Sequence, residues 1–147
     1  EISLIGLEAD AEPIAMLSNQ TIYPYTDLLL HDMGGSCTVT RELEDGTSCS
    51  SSEDQGETCI YVQRCEGLAD GLIQGDASGT EWKTPALWGL GLVQTVNPHS
   101  TFLHDGRART IEEAILWHGG EAQNSKQSFM NLQQSERQQV LAFLGSL

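Results

Sequence analysis

EWKTPALWGLGLVQTVNPHSTFLHDGRARTIEEAILWHGG, residues 81–120, holds three of the chain's four histidines, and its closing part decides the fold class. After Thr110 the apolar side chains Ile111, Ala114 and Ile115 recur at helical spacing, and the next position on that face is His118. Thr110 opens the helix with a capping box: its hydroxyl and the Glu113 carboxylate each satisfy a free backbone amide. Gly119 and Gly120 then end the helix and remove side-chain bulk beside the imidazole, where a flat cofactor has room to approach. Taken alone, the spacing favours a plainer reading, a core histidine with its ring nitrogens on backbone carbonyls.

Toward the C-terminus a second helix is expected over residues 121–131, burying Ala122, Phe129 and Met130. A third opens at Ser135 with another capping box and buries Val140, Leu141, Leu144 and Leu147. The C-terminal third is therefore helical and the domain is expected to be mainly α. Upstream of the decisive helix, Trp82 and Pro85 favour an irregular, ring-packed segment, and residues 87–92 form at most one helical turn broken by glycines. Residues 97–102 read as a loop and His104-Asp105-Gly106 as a tight turn.

Residues 67–80 (GLADGLIQGDASGT) read as a plain surface loop, because no lysine and no strand-to-helix context supports phosphate binding. From Gly35 to Glu66 the composition shifts to serine, threonine and acids and includes all four cysteines, Cys37, Cys49, Cys59 and Cys65. An inserted loop stapled by two disulfides is expected, with residues 59–65 as one strand of a small hairpin. The spacing favours a nested arrangement, Cys37 with Cys65 and Cys49 with Cys59, among the three pairings that four cysteines allow. A zinc site is the rival, but no CxxC pair and no interleaved histidine support it. Before the loop, Thr26 or Asp27 can cap a short turn carrying Leu28–Leu30 inward, and His31 and Asp32 are expected to bond each other or backbone. Residues 1–20 show no clean period and are expected to lie irregularly against the body.

At 147 residues with 39% hydrophobic content the chain suits one domain, 1–147, with the insertion at 35–66, and no apolar run approaches the roughly twenty residues needed to span a bilayer. A net charge of −14 argues against nucleic acid or an anionic membrane as partner. A basic protein or a cation suits it better, although acidic surfaces mostly serve solubility. The start at Glu1-Ile2-Ser3 is read as a processed or truncated product, and the even cysteine count as an oxidising compartment, periplasmic or secreted.

Several segments carry a family resemblance: PYTDLLLHDMG (24–34), GLADG (67–71), EWKTPALWGLG (81–91), FLHDGRARTIEEAILWHGGEA (102–122) and SERQQVLAFLGSL (135–147). They resemble the dihaem oxidoreductase family of peroxidase-like proteins, often labelled thiol oxidoreductases. More broadly they are similar to the second haem domain of the bacterial dihaem cytochrome c peroxidase and MauG superfamily. The resemblance implies a cytochrome-c-like domain with long irregular loops, in which 35–66 is an insertion, and a role in electron transfer with haem c.

In those peroxidases a helix after the HDG turn delivers the axial ligand of the C-terminal haem, usually a methionine, at the spacing that His118 keeps from His104 here. His118 is thus implied as an axial ligand, and Met33, a thioether on a short turn, is a weaker candidate. His104 and Asp105 are expected to hold loop geometry near the haem propionates. Trp82, Lys83 and Arg107 are expected to line the pocket, the cations offsetting propionate charge. The implied partners are an N-terminal haem domain of the parent protein and an electron-donor or acceptor protein. One departure stands out: the sequence has no CxxCH, the motif that attaches haem c and supplies its proximal histidine. In the family it lies upstream of PYTDLLLHDMG, so it is expected before Glu1, and the chain alone is expected to be inactive and without haem. Two other readings remain: a haem-free, acidic, disulfide-stapled interaction module using residues 41–57, and a metal site drawing on His99, His104 or His118.

Overall fold

The computed structural model describes residues 21–49 and 59–147. In chain order it shows β1 (Leu30–Asp32), β2 (Gly35–Glu42), β3 (Ile60–Gly67) and β4 (Glu81–Lys83). A 3-10 turn at Leu90–Leu92 then leads into α1 (Val93–Val96), followed by α2 (Ile111–Trp117), a 3-10 turn at Gly120–Ala122, α3 (Gln123–Asn131) and α4 (Gln134–Leu144). The strands make two separate antiparallel pairs, β1 with β4 and β2 with β3.

The expectation of a mainly α domain is corrected: the described residues combine four helices with two sheets. The physical reason lies in two places. Residues 35–66, read as a stapled loop with one strand at 59–65, carry long strands at both ends, rich in β-branched and aromatic side chains (Val39, Thr40, Ile60, Tyr61, Val62). Residues 28–30, expected to turn inward as helix, do not. The Thr26 hydroxyl and the Asp27 carboxylate do accept from the amides of Leu28 and Leu29, both at 2.9 Å, but no helix follows. Leu28 takes a positive φ of 61°, Leu28–Leu30 stay exposed, and the chain extends into β1.

The β2–β3 ladder runs from Gly35↔Gly67 to Glu42↔Ile60, with Cys37 opposite Cys65. Disulfides join Cys37 to Cys65 and Cys49 to Cys59, the nested arrangement that the spacing favours. Near the far end of the ladder the Glu42 carboxylate grips the Arg64 guanidinium through both oxygens, Oε2 to Nη2 at 2.7 Å, and accepts from the Thr40 hydroxyl at 2.6 Å. Arg64 first, then Thr40, holds the Glu42 carboxyl down to about 2. Of the acidic loop at 41–57, residues 50–57 lie outside the described residues, as does the expectation for residues 1–20.

Helix α2 begins as expected, with Thr110 as N-cap accepting from the Glu113 amide at 3.0 Å. Helix α4 begins two residues earlier than the sequence suggests. Gln133 is its N-cap and shares a capping box with Glu136, so Ser135 lies inside the first turn. The C-terminal end of α4 meets the residues around Trp88: the Gly89 amide donates to the Leu147 carbonyl at 2.8 Å, and a Cβ on Gly91 would stand 1.9 Å from the Gly145 carbonyl oxygen. Tyr25 meets Phe143 edge-on at 5.5 Å, fastening the N-terminal segment to the same helix.

The buried apolar residues among those described are Leu68, Ala69, Ala108 and Phe129. Half of them belong to GLADG, so residues 67–80 are not merely a surface loop: their first part is core. Met130, expected to be buried, is exposed, whereas its neighbour Phe129 is not.

Candidate functional site

His118 follows the last turn of α2, as its C-cap, and is half-buried. Its Nδ1 lies 2.6 Å from the Ala114 carbonyl oxygen, one helical turn back. A carbonyl can only accept, so Nδ1 carries the hydrogen, and in the neutral ring Nε2 keeps its lone pair. Nε2 has no hydrogen-bond partner among the described residues.

The two glycines after His118 do not leave open space. The backbone of residues 32–34 occupies the place where their side chains would stand: a Cβ on Gly119 would lie 2.8 Å from the Met33 carbonyl oxygen, and one on Gly120 would lie 2.2 Å from that of Asp32. Gly120 also needs a positive φ, 51°. The expected approach route for a flat cofactor over these glycines is therefore filled by protein. This close packing brings Met33, whose amide donates to the Thr80 carbonyl at 2.9 Å, next to the His118 turn through backbone contact.

A second fastening spans the same junction. His31, the middle residue of β1, places Nδ1 2.8 Å from Glu121 Oε2 and Nε2 2.7 Å from Asp27 Oδ2. The other Glu121 oxygen accepts from the Asp32 amide at 3.2 Å. The bond to Glu121, then that to Asp27, raises the His31 pKa above its ordinary value. Glu121 is lowered in return, chiefly by His31. Asp27 is lowered by the Leu29 amide first and His31 second. His31 and Asp32 thus do not bond each other; Asp32 instead accepts from the Gly34 amide at 2.7 Å.

The HDGR turn, residues 104–107, is held by its own side chains. Asp105 accepts from the Arg107 amide at 3.1 Å and from Arg107 Nε at 2.5 Å. Burial would push the Asp105 carboxyl up, but these bonds leave it lowered. Arg107 Nη1 donates to the Gly67 carbonyl, and the guanidinium sits 4.8 Å from the centre of the Trp117 ring. The next carbonyl, that of Leu68, accepts from Trp82 Nε1 at 2.9 Å, and the Trp82 ring stacks on His104 at 3.5 Å. Lys83 ends β4 exposed and borders a cavity of about 200 Å³ that Leu30, Asp70 and Trp82 also line. That volume is below the roughly 300 Å³ at which ligand pockets usually begin, so the cavity is not taken as the site. His99 is exposed, and among the described residues no three His, Cys, Asp or Glu side chains gather as a metal site would require.

The model of the family described as "Di-haem oxidoreductase, putative peroxidase" matches residues 4–48 and 58–147. The chain belongs to this family. No curated protein and no solved structure matches it. The two matched segments are separated at residues 49–57, so both strands of the β2–β3 hairpin fall within them.

Among the described residues, His118 has donor chemistry that would suit a haem, which the family description implies. His118 has the proton on Nδ1, a backbone carbonyl fixing its ring, and a lone pair left on Nε2, which is how histidine ligands are usually held. Three of the remaining candidates share one set of contacts. Trp82, His104 and Arg107 join one cluster around the Gly67 and Leu68 carbonyls, and Arg107 reaches Trp117, the residue before His118. Sequence reasoning missed the role of Glu121, and it named Asp27 only as a cap and Gly67 only within GLADG. GLADG carried a visible signal in its recurrence among the family segments, but no periodicity marked Glu121 as a partner of His31.

Proposed function

We propose that this chain supplies the axial-ligand side of a haem c site in a dihaem c-type oxidoreductase acting in electron transfer, with Nε2 of His118 as the ligand. The observation that carries this reading is the 2.6 Å bond from His118 Nδ1 to the Ala114 carbonyl. That bond fixes the tautomer, orients the ring and makes Nε2 more basic, which are the properties an iron ligand needs. Haem, when bound, supplies a one-electron iron couple, and its potential is lower with two histidine ligands than with histidine and methionine. Thr110 starts α2 and Ala114 holds the imidazole, so the ring position is set before any cofactor arrives.

Lys83 and the second terminal nitrogen of Arg107, which has no partner among the described residues, supply positive charge for propionates. The role of Trp82 and His104 is to hold the HDGR turn through their ring stack. Met33 ranks below His118 as a ligand, because its place is explained by backbone packing against Gly119. On this reading the thioether cysteines and the proximal histidine would have to come from a CxxCH that these 147 residues do not contain. The two disulfides, Cys37–Cys65 and Cys49–Cys59, support an oxidising compartment, periplasmic or secreted. No helix among the described residues is long and apolar enough to cross a membrane.

A redox titration of the full-length, haem-loaded protein tests the assignment. His118→Met is expected to raise the midpoint of one haem and leave the other in place. An unchanged pair of midpoints removes His118 as a ligand. A full-length protein with no haem absorbance would favour the interaction-module reading instead.

A further inference from the structure

The Arg107 side chain does three things at once, and none follows from a simple surface ion pair. Its Nε and main-chain amide close the HDGR turn on Asp105, its Nη1 anchors to the Gly67 carbonyl at the end of β3, and its guanidinium carbon sits over the Trp117 ring, 4.8 Å from the centroid. Trp117 is the last residue of α2, and His118 follows it directly. The anchor is itself tied down: Gly67 pairs with Gly35 at the base of the hairpin, and the neighbouring Leu68 carbonyl accepts from Trp82 Nε1. Helix α2 has only seven residues, and among the described residues no salt bridge is made by its own side chains. Beyond its backbone hydrogen bonds and its contact with α4, the side-chain contact on its final turn that reaches a distant segment is, among the described residues, the one from Arg107 to Trp117.

We infer that Arg107 is a positioning residue for His118: by clamping the Trp117 ring against the Gly67 anchor it sets the last turn of α2 and with it the imidazole. The role calls for arginine. A planar guanidinium can stack on an indole while donating sideways to two acceptors, whereas an ammonium cannot present a face and a fork together. The inference rests on the ligand reading of His118 for its functional meaning, but its geometry concerns this chain alone.

The test uses nitrogen-15 NMR of the whole chain, reading the His118 ring tautomer and, in parallel, the melting temperature. Arg107→Lys and Arg107→Gln are expected to turn the single Nδ1–H signature into a mixture of tautomers, and Trp117→Phe, which shrinks the platform, to do so in part. Arg64→Gln, which breaks the hairpin ion pair elsewhere, serves as the control: it should lower the melting temperature and leave the tautomer alone. An unchanged His118 signature in both Arg107 variants overturns the inference while leaving the ligand reading intact. Loss of the signature in Arg64→Gln as well overturns it too, since general loosening would then explain the effect. A wild-type ring without the Nδ1 proton would remove both.

Discussion

Both ring nitrogens of His31 face carboxylate oxygens, and only the imidazolium has two N–H groups to donate. The consequence has a definite sign. The folded-state pKa lies above the ordinary 6.5, so this contribution to stability is complete below that value and is lost as pH rises through the folded pKa. Glu121 and Asp27 are lowered from 4.5 and 3.8, so their share is present above those values and fades as pH falls. The clasp is strongest between the carboxylate and histidine ranges. Thermal melts across pH should show wild type losing more stability from pH 6 to pH 9 than His31→Asn does; parallel curves would show that the clasp does not matter. At this scale the sequence was legible where neighbours are local. His118 was marked by spacing and Thr110 by its capping box, whereas the bond from His31 to Glu121 crosses ninety positions and leaves no local trace.

Among the elements, residues 32–34 pack against the two glycines after α2 and seat the chain that leaves the helix. A methyl group on Gly120 would collide with the Asp32 carbonyl and force a side chain into positive φ, so Gly120→Ala is expected to cost at least about 2 kcal/mol. Denaturant melts read this directly, and a loss below that size would mean the junction yields. The hairpin carries its own predictions. Opening Cys37–Cys65, which closes 28 residues of sequence, in the double variant Cys37→Ser/Cys65→Ser should remove roughly 3–4 kcal/mol, again read by denaturant melts. Below pH 4.5 the Glu42–Arg64 pair should weaken progressively, and its contribution should disappear as pH falls through about 2, because the carboxyl is lowered in the folded state. Acid titration of Arg64→Gln beside wild type checks this, the variant lacking that component. Helices α2 to α4 were readable because amphipathic periodicity and caps are local signals. Of the hairpin, the strand around residues 59–65 and the nested disulfides were legible, but β2 was not: most of its side chains are exposed, which gives a polar composition that reads as a loop.

Across the whole molecule, family membership and geometry converge on the same few segments. HDMG, GLADG, HDGRA and the α2 end, distant in sequence, are joined through the Gly67 and Leu68 carbonyls, Arg107 and the glycine junction. The family was legible because those segments carry its resemblance, and the family model matches residues 4–48 and 58–147. Their mutual contacts were not, since nothing in a one-dimensional spacing says that Arg107 stacks on Trp117 or that Trp82 stacks on His104. The excess of acids bears on solubility and partner charge rather than on fold.

Whether His118 offers Nε2 to a haem iron can be read by electron paramagnetic resonance of the oxidised, full-length protein. Wild type should give a low-spin signal from a haem with two histidine ligands, and His118→Ala should convert that signal to high spin with the protein still folded. Identical spectra from the two proteins would contradict the account.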